Sequence, residues 1–330
     1  MKRFRLLLGL TVSAVLLGVL LWSVDLHELG VQLARTRWGW TALGAALSPL
    51  GLWVRARRWR YLFPPRSDPP GLVPAIMIGY MVNNILPLRA GEVVRVYVVA
   101  RRWGRGFWTA LATLVIERVL DSLAIILILG ILVFLIPVPA IFRWTAVTLL
   151  AIDVVAATAL AFVAATPTAC ARLLSRLVRP WPGLAARVTG GFDRFASGLD
   201  GIRTLAHAPP LVMWTVAVWV MPALSAWTIM RALDIDAPLL AGWTVLAFVG
   251  LGVSIPAAPG YVGVFHYAAV LALGIFDVPR SVSVGYAIVF HAAQMIPITL
   301  VGWVFLLREE LSLGEATRAR PVEMNTPNAG

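Results

Sequence analysis

The chain has 330 residues, of which 60% are hydrophobic and 13% are charged, and its mean hydropathy is +0.84, which is typical of a membrane protein. Its formal net charge of +12 comes mostly from arginines in short segments between apolar stretches, so it indicates the positive-inside distribution of membrane proteins rather than nucleic-acid binding. No polar block is long enough to fold as a soluble catalytic domain. The single cysteine, Cys170, excludes an intramolecular disulfide and a thiolate metal site.

Apolar stretches of spanning length recur along the chain, so we interpret residues 1–307 as a single transmembrane domain of an all-α polytopic membrane protein. Six full spans are predicted, at about 4–23, 38–54, 107–136, 144–165, 209–230 and 281–307. Two further apolar segments, at about 71–100 and 239–276, are interrupted and are predicted to form broken or re-entrant hairpins. We therefore expect eight to ten hydrophobic helices, followed by a disordered cytoplasmic tail at 308–330.

The arginines indicate how the chain is oriented in the membrane. Arg55, Arg57, Arg58 and Arg60 follow the second span and predict that this end is cytoplasmic. The stretch 171–208 combines arginines with leucines at helical spacing, so we expect a basic connector that lies on the inner leaflet. Both termini are predicted to be cytoplasmic, in the inner membrane of a prokaryote.

The first interrupted segment places charge at a depth where lipid is expected. Its central part, from Asn83 to Arg105, reads NNILPLRAGEVVRVYVVARRWGR. Pro87 removes a backbone donor and Gly91 permits a sharp turn, so unpaired backbone groups must face protein or water. Together with Asn83 and Asn84, these residues predict a broken helix, a feature that often marks the substrate site of a transporter.

An internal repeat relates the two interrupted segments. An offset of 169 residues brings the predicted elements of about 38–136 onto those of about 207–305. At this offset the interruptions share two residues, since Pro87 aligns with Pro256 and Gly91 with Gly260. The arginine distribution indicates that the two copies begin on opposite sides of the membrane. This predicts an inverted repeat, the architecture of alternating access.

Six charged residues lie within or near the predicted membrane region, where each costs about 2.5–3.5 kcal/mol if it is isolated at a helix centre. They are Arg89, Glu92, Arg95, Glu117, Arg118 and Asp121. Glu117 and Asp121 are four residues apart and share one helix face. We expect Glu92 to pair with Arg118, and Arg89 with Asp121.

Three interpretations of this charged cluster stay open. Its three arginines can bind a lipid phosphate through bidentate hydrogen bonds while its three carboxylates hold them in place. The ion pairs can instead serve only to clamp the broken segment. In the third interpretation, a carboxylate of the cluster takes up a proton and couples transport to charge.

The second interrupted segment lacks these charges. It offers Pro256, Pro259, Gly260, Gly263 and His266, to which the last span adds His291. The two histidines are as consistent with hydrogen-bonded packing as with the lining of a cavity. The sequence has no metal-ligand spacing, phosphate-binding loop or serine elbow, so we expect no metal site, no cofactor and no enzyme activity.

Three motifs connect these residues to a known family. They read Asn84-x-x-Pro87-x-Arg89-x-Gly91-Glu92-x-x-Arg95, then Glu117-Arg118-x-x-Asp121, and then Pro256-x-x-Pro259-Gly260-x-x-Gly263. In this order they resemble the lysylphosphatidylglycerol synthase transmembrane region, a flippase-like (YbhN-type) family. The family often has Gly where Tyr261 stands and an acidic residue where His266 stands, so no acidic role is transferred to position 266. The resemblance implies a stand-alone flippase-like protein without the soluble synthase domain.

Residues and resemblance together lead to a first hypothesis, a lipid flippase. It would pass the phosphate-bearing headgroup of a phospholipid or polyprenyl-phosphate lipid between the leaflets of the membrane. The second hypothesis is a non-transporting scaffold or accessory subunit whose partner is a lipid or cell-envelope enzyme. The third is a membrane-embedded transferase that uses Glu92 or Asp121 as a base.

Overall fold

The computed structural model describes residues 33–86, 89–103, 106–253 and 259–309, and in addition Val15, Gly18, Gly30 and Val31. Within these ranges the regular structure is helical and no β-strand is present. Almost all of the predicted first span at 4–23 lies outside the described residues, as do Pro87, Pro256 and the tail from residue 310.

Residues 38–165 contain α1 (Trp38–Arg60), α2 (Leu72–Ile85), α3 (Ala90–Trp103), α4 (Phe107–Leu135) and α5 (Ala140–Ala165). The basic connector contains α6 (Pro167–Val178), α7 (Pro182–Gly198) and the short α8 (Asp200–Arg203). The remainder comprises a 3-10 turn (Leu205–His207), α9 (Ala208–Ala232), α10 (Leu239–Gly252), a second 3-10 turn (Pro259–Tyr261), α11 (Val264–Gly274) and α12 (Arg280–Arg308).

Within the described ranges, four helical segments are long and apolar enough to cross a membrane. They are Phe107–Leu135, Ala140–Ala165, Leu205–Ala232 and Arg280–Arg308, which match four of the six predicted full spans. The predicted span at 38–54 corresponds to α1, whose 23 residues extend about 34 Å. These helices confirm the predicted fold class, and the protein is an all-α, multi-pass membrane protein.

Each interrupted segment forms a pair of short helices. Helices α2, α3 and α10 have 14 residues and α11 has 11, so each is at most about 21 Å long. The hydrocarbon core of a bilayer is about 30 Å thick, so none of the four helices crosses it alone. The polar and charged residues near the interruptions therefore lie inside the membrane domain rather than at its edge.

The two short helices of the first hairpin pack unusually close together, and glycine is the reason. A Cβ atom added to Gly91 would lie 1.8 Å from the carbonyl oxygen of Gly79, so only glycine fits at this crossing. The side chain of Asn83 accepts a hydrogen bond of 2.8 Å from the amide of Gly91, which satisfies one free donor at the start of α3. The first hairpin is thus closed by Asn83, Gly79 and Gly91.

Helices α1 to α4 in the first half and α9 to α12 in the second half follow the same order of lengths: long, short, short, long. In both halves the two short helices pack against each other, as α2 with α3 and as α10 with α11. The last helix of each half packs on the first short helix of the other half, since α12 contacts α2 and α4 contacts α10. Helices α1 and α9 form an extensive contact between the halves. Two related halves would produce this pattern, and their inverted orientation stays a prediction.

The basic connector forms the amphipathic helix α6, followed by α7, which packs against α4. On α6, Leu173 and Leu177 are exposed one turn apart, and Arg172 and Arg176 are exposed beside them. An apolar stripe flanked by arginines is the arrangement of a helix at a membrane surface. Its position on the inner leaflet stays a prediction.

The last helix extends slightly beyond its predicted end at residue 307. Helix α12 reaches Arg308, and the next residue, Glu309, forms an ion pair with Arg102 at the end of α3. The contact connects the last described residue to the first hairpin.

Candidate functional site

A cavity of about 520 Å³ lies where the two interrupted hairpins meet. The first hairpin and its interruption contribute Asn83, Asn84 and Arg89 to its wall, and the second interruption contributes Val253 and Tyr261. Helices α1, α4, α5, α9 and α10 supply the other walls. The cavity is therefore bounded by both halves of the molecule.

Arg89 connects the two interruptions directly. Its Nη2 atom donates a hydrogen bond of 2.8 Å to the backbone oxygen of Val253, the residue that follows α10. Its guanidinium carbon lies 5.8 Å from the ring centre of Tyr261, within the range of a cation–π contact. The backbone of Arg89 has a φ of 53°, a left-handed conformation that is uncommon for a residue with a side chain.

Asn84 attaches the first interruption to the last helix. Its Nδ2 atom donates hydrogen bonds of 3.0 Å to Thr299 Oγ1 and 3.4 Å to the backbone oxygen of Met295. These contacts, together with that of Arg89, hold the end of the first hairpin against the second half.

The charged cluster is organised around Glu117, which is completely buried on α4. Its carboxylate contacts four arginines: Oε1 lies 2.8 Å from Arg55, 3.3 Å from Arg58 and 2.9 Å from Arg118, and Oε2 lies 3.1 Å from Arg95. Because one turn of helix separates it from Asp121, both carboxylates face the same group of guanidinium groups.

Asp121 and Glu92 complete the cluster. Asp121 lies 2.7 Å from Arg58 and 3.1 Å from Arg118, and it also pairs with Arg55. Glu92 lies 2.8 Å from Arg95 and 3.4 Å from Arg118. Every one of these charged side chains therefore has at least one oppositely charged neighbour, as groups within a membrane domain require.

The cluster is not electrically balanced. Among the described residues it contains four arginines, at positions 55, 58, 95 and 118, against three carboxylates, which leaves one positive charge. Arg89 adds a further positive charge whose hydrogen bond goes to a neutral carbonyl. Buried donor atoms without a hydrogen-bond partner among the described residues include Nε and Nη1 of Arg58 and Nε of Arg118. The site can therefore accept an anion.

The cluster has a face toward the cavity and a layer behind it. Arg55, Arg118, Glu92 and Asp121 line the cavity together with Arg89. Within the cluster, Arg118 is the most accessible, since its side chain is 33% exposed, compared with 12% for Arg55.

Glu117, Arg58 and Arg95 form the layer behind. Both arginines are buried, and the guanidinium carbon of Arg95 lies 5.0 Å from the ring centre of Trp59. The layer holds the arginines of the cavity wall in place, so we assign Arg95 a supporting position and not the direct headgroup contact expected from the sequence.

The structure brings together most of the cluster expected from the sequence, but one expected pair is wrong. Glu92 and Arg118 are paired as predicted. Arg89 does not pair with Asp121; it contacts Val253 and Tyr261 instead, because the first interruption turns it toward the second hairpin. Arg55 and Arg58 take the place of Arg89 beside Asp121.

Sequence reasoning used Arg55 and Arg58 as markers of the cytoplasmic end of a span; that orientation stays a prediction, but the ion pairs of the two side chains were not expected. Helix α1 continues through both residues to Arg60, and it directs Arg58 into the protein interior while Arg57 and Arg60 are exposed. The spacing of three residues between Arg55 and Arg58 places them on one helix face and was the available signal.

The predicted cavity residues of the second half lie beside the cavity and are not among the residues that line it: Gly260, Gly263, His266 and His291. His291 Nε2 lies 2.8 Å from the backbone oxygen of Gly260. The ring centres of His266 and His291 lie 4.8 Å apart, and the two rings are nearly perpendicular. Gly260 and Gly263 adopt positive φ values of 67° and 87°. These residues shape the second interruption, and the backbone of Pro259 belongs to the 3-10 turn there.

Comparison with known proteins agrees with the motifs of this site. The chain is similar to a protein of Haloferax volcanii named glycosyltransferase AglD, with 26% identity over 337 residues, 92% of this chain and 54% of the relative. The chain thus spans about half the length of the curated relative that it matches. No solved structure matches the chain. The family model described as lysylphosphatidylglycerol synthase TM region matches residues 6–302, so the chain belongs to that family.

Proposed function

We propose that this protein moves a phosphate-bearing lipid headgroup between the two leaflets of its membrane by alternating access. The proposal rests on one observation: a cavity whose wall, together with the buried layer behind it, carries one excess positive charge lies between two interrupted hairpins that belong to opposite halves of the chain. Membership of a transmembrane family named for a lipid synthase supports a lipid as the ligand. The relative is named a glycosyltransferase, and both ligands expected from the sequence, a phospholipid and a polyprenyl-phosphate lipid, stay candidates.

The arginines of the cavity wall are the groups that would bind the phosphate. A planar guanidinium donates two parallel hydrogen bonds to phosphate oxygens, and such charge-assisted bonds are stronger than neutral ones. Arg118 is suited to this role because it is accessible and has a free Nε–H donor. Glu92 and Glu117 would keep its guanidinium oriented when the cavity is empty. The acyl or polyprenyl chains would stay in the bilayer, so only the headgroup needs the polar cavity.

Arg89 gives the proposal a physical route to alternating access. In this structure it holds the two interruptions together through the neutral carbonyl of Val253. A phosphate in the cavity would compete for the same guanidinium with a full negative charge, which makes the stronger hydrogen bond. Binding of a headgroup would then release the contact between the hairpins, and the ligand would favour the state in which they separate.

The density of ion pairs favours a second candidate function. Arg58 and Glu117 are completely buried, and buried ion pairs also occur where they only hold helices together. In this alternative the protein is a non-transporting scaffold or accessory subunit of a lipid or cell-envelope enzyme, and the cavity binds no mobile ligand.

The variant Arg118→Ala separates the two candidates. We expect purified Arg118→Ala to remain folded in detergent, by thermal unfolding, and to lose lipid flipping in proteoliposomes that contain fluorescent phospholipids. Arg57→Ala is the matched control, because Arg57 lies on α1 near the cluster but is exposed. Full flipping by Arg118→Ala would remove the proposed headgroup site. Unfolding of that variant, together with an inactive wild-type protein, would favour the scaffold.

A further inference from the structure

Two polar side chains in the cavity take no part in the arginine cluster. Asp153 of α5 and Trp219 of α9 both line the cavity, and they are only 6% and 8% exposed. Asp153 Oδ2 and the indole Nε1 of Trp219 are buried and have no hydrogen-bond partner among the described residues. Buried polar atoms are almost always hydrogen-bonded, so this pair requires an explanation.

The position of Asp153 makes a purely structural explanation difficult. It lies at the middle of a 26-residue helix whose other residues are exposed or half-buried, with only Phe142 and Ala164 also buried. A carboxylate at the centre of a membrane helix costs about 2.5–3.5 kcal/mol if it has no partner. With Leu149 and Ala156 it belongs to the single face of α5 that lines the cavity. The cavity contents are therefore the available partner for its free oxygen.

The two groups have complementary hydrogen-bonding roles. A carboxylate only accepts hydrogen bonds, and an indole N–H only donates one. A hydroxyl group does both, so a headgroup with hydroxyls can satisfy Asp153 and Trp219 together. An ammonium group has three donors and no acceptor, so it would leave Trp219 without a partner.

The charge of the complete site favours the same ligand. With Asp153 included, the described residues at the site comprise five arginines and four carboxylates, which leaves one positive charge. A phosphodiester carries one negative charge and balances this excess if the rest of the headgroup is neutral. A zwitterionic headgroup, in which an ammonium cancels the phosphate, would leave the positive charge uncompensated.

We infer that the ligand is a lipid phosphodiester with an uncharged, hydroxyl-bearing headgroup, either glycerol or a sugar, whose hydroxyls bind Asp153 and Trp219. The inference rests on the proposed function for its phosphate contacts. Asp153 and Trp219 are then the residues that determine specificity, while the arginines supply phosphate affinity for any lipid phosphodiester.

The test measures lipid retention and lipid flipping for four probes. They are phosphatidylglycerol, a polyprenyl-phosphate hexose, phosphatidylethanolamine and phosphatidylmethanol, the last being a phosphodiester of equal charge without a hydroxyl. Retention is measured by native mass spectrometry of the detergent-purified chain, and flipping in proteoliposomes. We expect the wild-type protein to retain at least one hydroxyl-bearing lipid about tenfold better than phosphatidylmethanol, since a hydrogen bond to a charged group contributes about that much. The hydroxyl-bearing lipid that is retained better shows whether the preferred headgroup is glycerol or a sugar.

The variants assign this preference to the two side chains. Asp153→Leu and Trp219→Phe should abolish most of the preference over phosphatidylmethanol and leave the retention of phosphatidylmethanol itself undiminished. The controls Asp236→Leu and Trp243→Phe remove an exposed carboxylate and a half-buried indole that do not line the cavity, and they should keep the preference. Equal loss of all four lipids in Asp153→Leu would show a structural role and overturn the inference.

The failure of the inference is distinguishable from that of the proposed function. Three results for the wild-type chain overturn the inference. The chain retains phosphatidylethanolamine best, it retains phosphatidylmethanol as well as the hydroxyl-bearing lipids, or it retains none of the four. Flipping of all four lipids at equal rates also overturns the inference, but it leaves the proposed transport function intact. Selective retention without flipping supports the inference and removes the transport function.

Discussion

The Nη2 atom of Arg58 lies 2.7 Å from Oδ1 of Asp121, although 63 positions separate the two residues in the chain. The Arg58 side chain is completely buried, and Nη2 also lies 3.3 Å from Glu117. This contact joins α1 to α4 at the back of the cavity. An arginine that the sequence pattern places at a membrane boundary is thus a completely buried cation of the charged site.

Replacement of Arg58 should destabilise the fold. Arg58→Met keeps much of the apolar length of the side chain but removes its contacts with Asp121 and Glu117, which keep Arg55 and Arg118 as partners. A hydrogen bond to a charged group contributes about 1.5–3 kcal/mol, and loss of the buried Arg58 contacts should cost at least that much. We expect a clear decrease in the apparent Tm of the purified protein in detergent, measured by intrinsic fluorescence.

Arg57→Met is the control for this measurement. Arg57 is exposed on the same helix and its guanidinium lies 5.7 Å from the ring centre of Trp53. An exposed cation–π contact contributes about 0.5–1 kcal/mol, so the Tm should change little. Equal decreases in the two variants would contradict the central position of Arg58.

The close crossing in the first hairpin predicts that Gly91→Ala is poorly tolerated. The added methyl group would lie 1.8 Å from the backbone oxygen of Gly79, and a backbone atom cannot rotate away. Overpacking of this kind costs about 1–3 kcal/mol or more. We expect a lower apparent Tm and faster limited proteolysis. Gly130→Ala is the matched control, because a Cβ there meets nothing within 4 Å, and an unchanged or raised Tm is expected.

Arg89→Gly should separate stability from transport. Glycine relieves the left-handed backbone at this position, a gain of about 1 kcal/mol, while loss of the bond to Val253 removes about 1.5–3 kcal/mol. The apparent Tm should therefore change only modestly, whereas flipping should decrease at least tenfold because the cavity loses a cation that we assign to phosphate binding.

Asp277→Gly tests whether replacing a residue of left-handed backbone conformation by glycine affects transport by itself. Asp277 has a φ of 57° and does not line the cavity between the hairpins. Flipping by this variant should equal that of the wild type. If Arg89→Gly flips lipid at the wild-type rate, the contact between Arg89 and Val253 has no function in transport.

Several features of the fold follow from local properties of the sequence. Apolar length identified α4, α5, α9 and α12 as spans, since about 20 apolar residues suffice to cross a bilayer. Pro and Gly among polar residues indicated both interruptions. The four-residue spacing of Glu117 and Asp121 placed two carboxylates on one helix face, and the cost of burying them predicted arginine partners.

The partners themselves were decided by tertiary structure. The packing of α1 against the first hairpin brings Arg55 and Arg58 to Glu117 across about 60 positions of chain, and no local pattern encodes that distance. For the same reason Arg89 contacts Val253 of the other half, whereas the sequence had assigned it to Asp121.

The sequence alone determined that this is a helical membrane protein with two broken segments, the first of which carries charge, because hydropathy, helix-breaking residues and helical spacing are properties of neighbouring positions. Tertiary structure alone decided which arginines surround Glu117, and it placed Asp153 and Trp219 in the wall of the same cavity. The reason is physical: any arrangement of these helices must neutralise the buried charges, and only the packing of particular helix faces determines which residues do so.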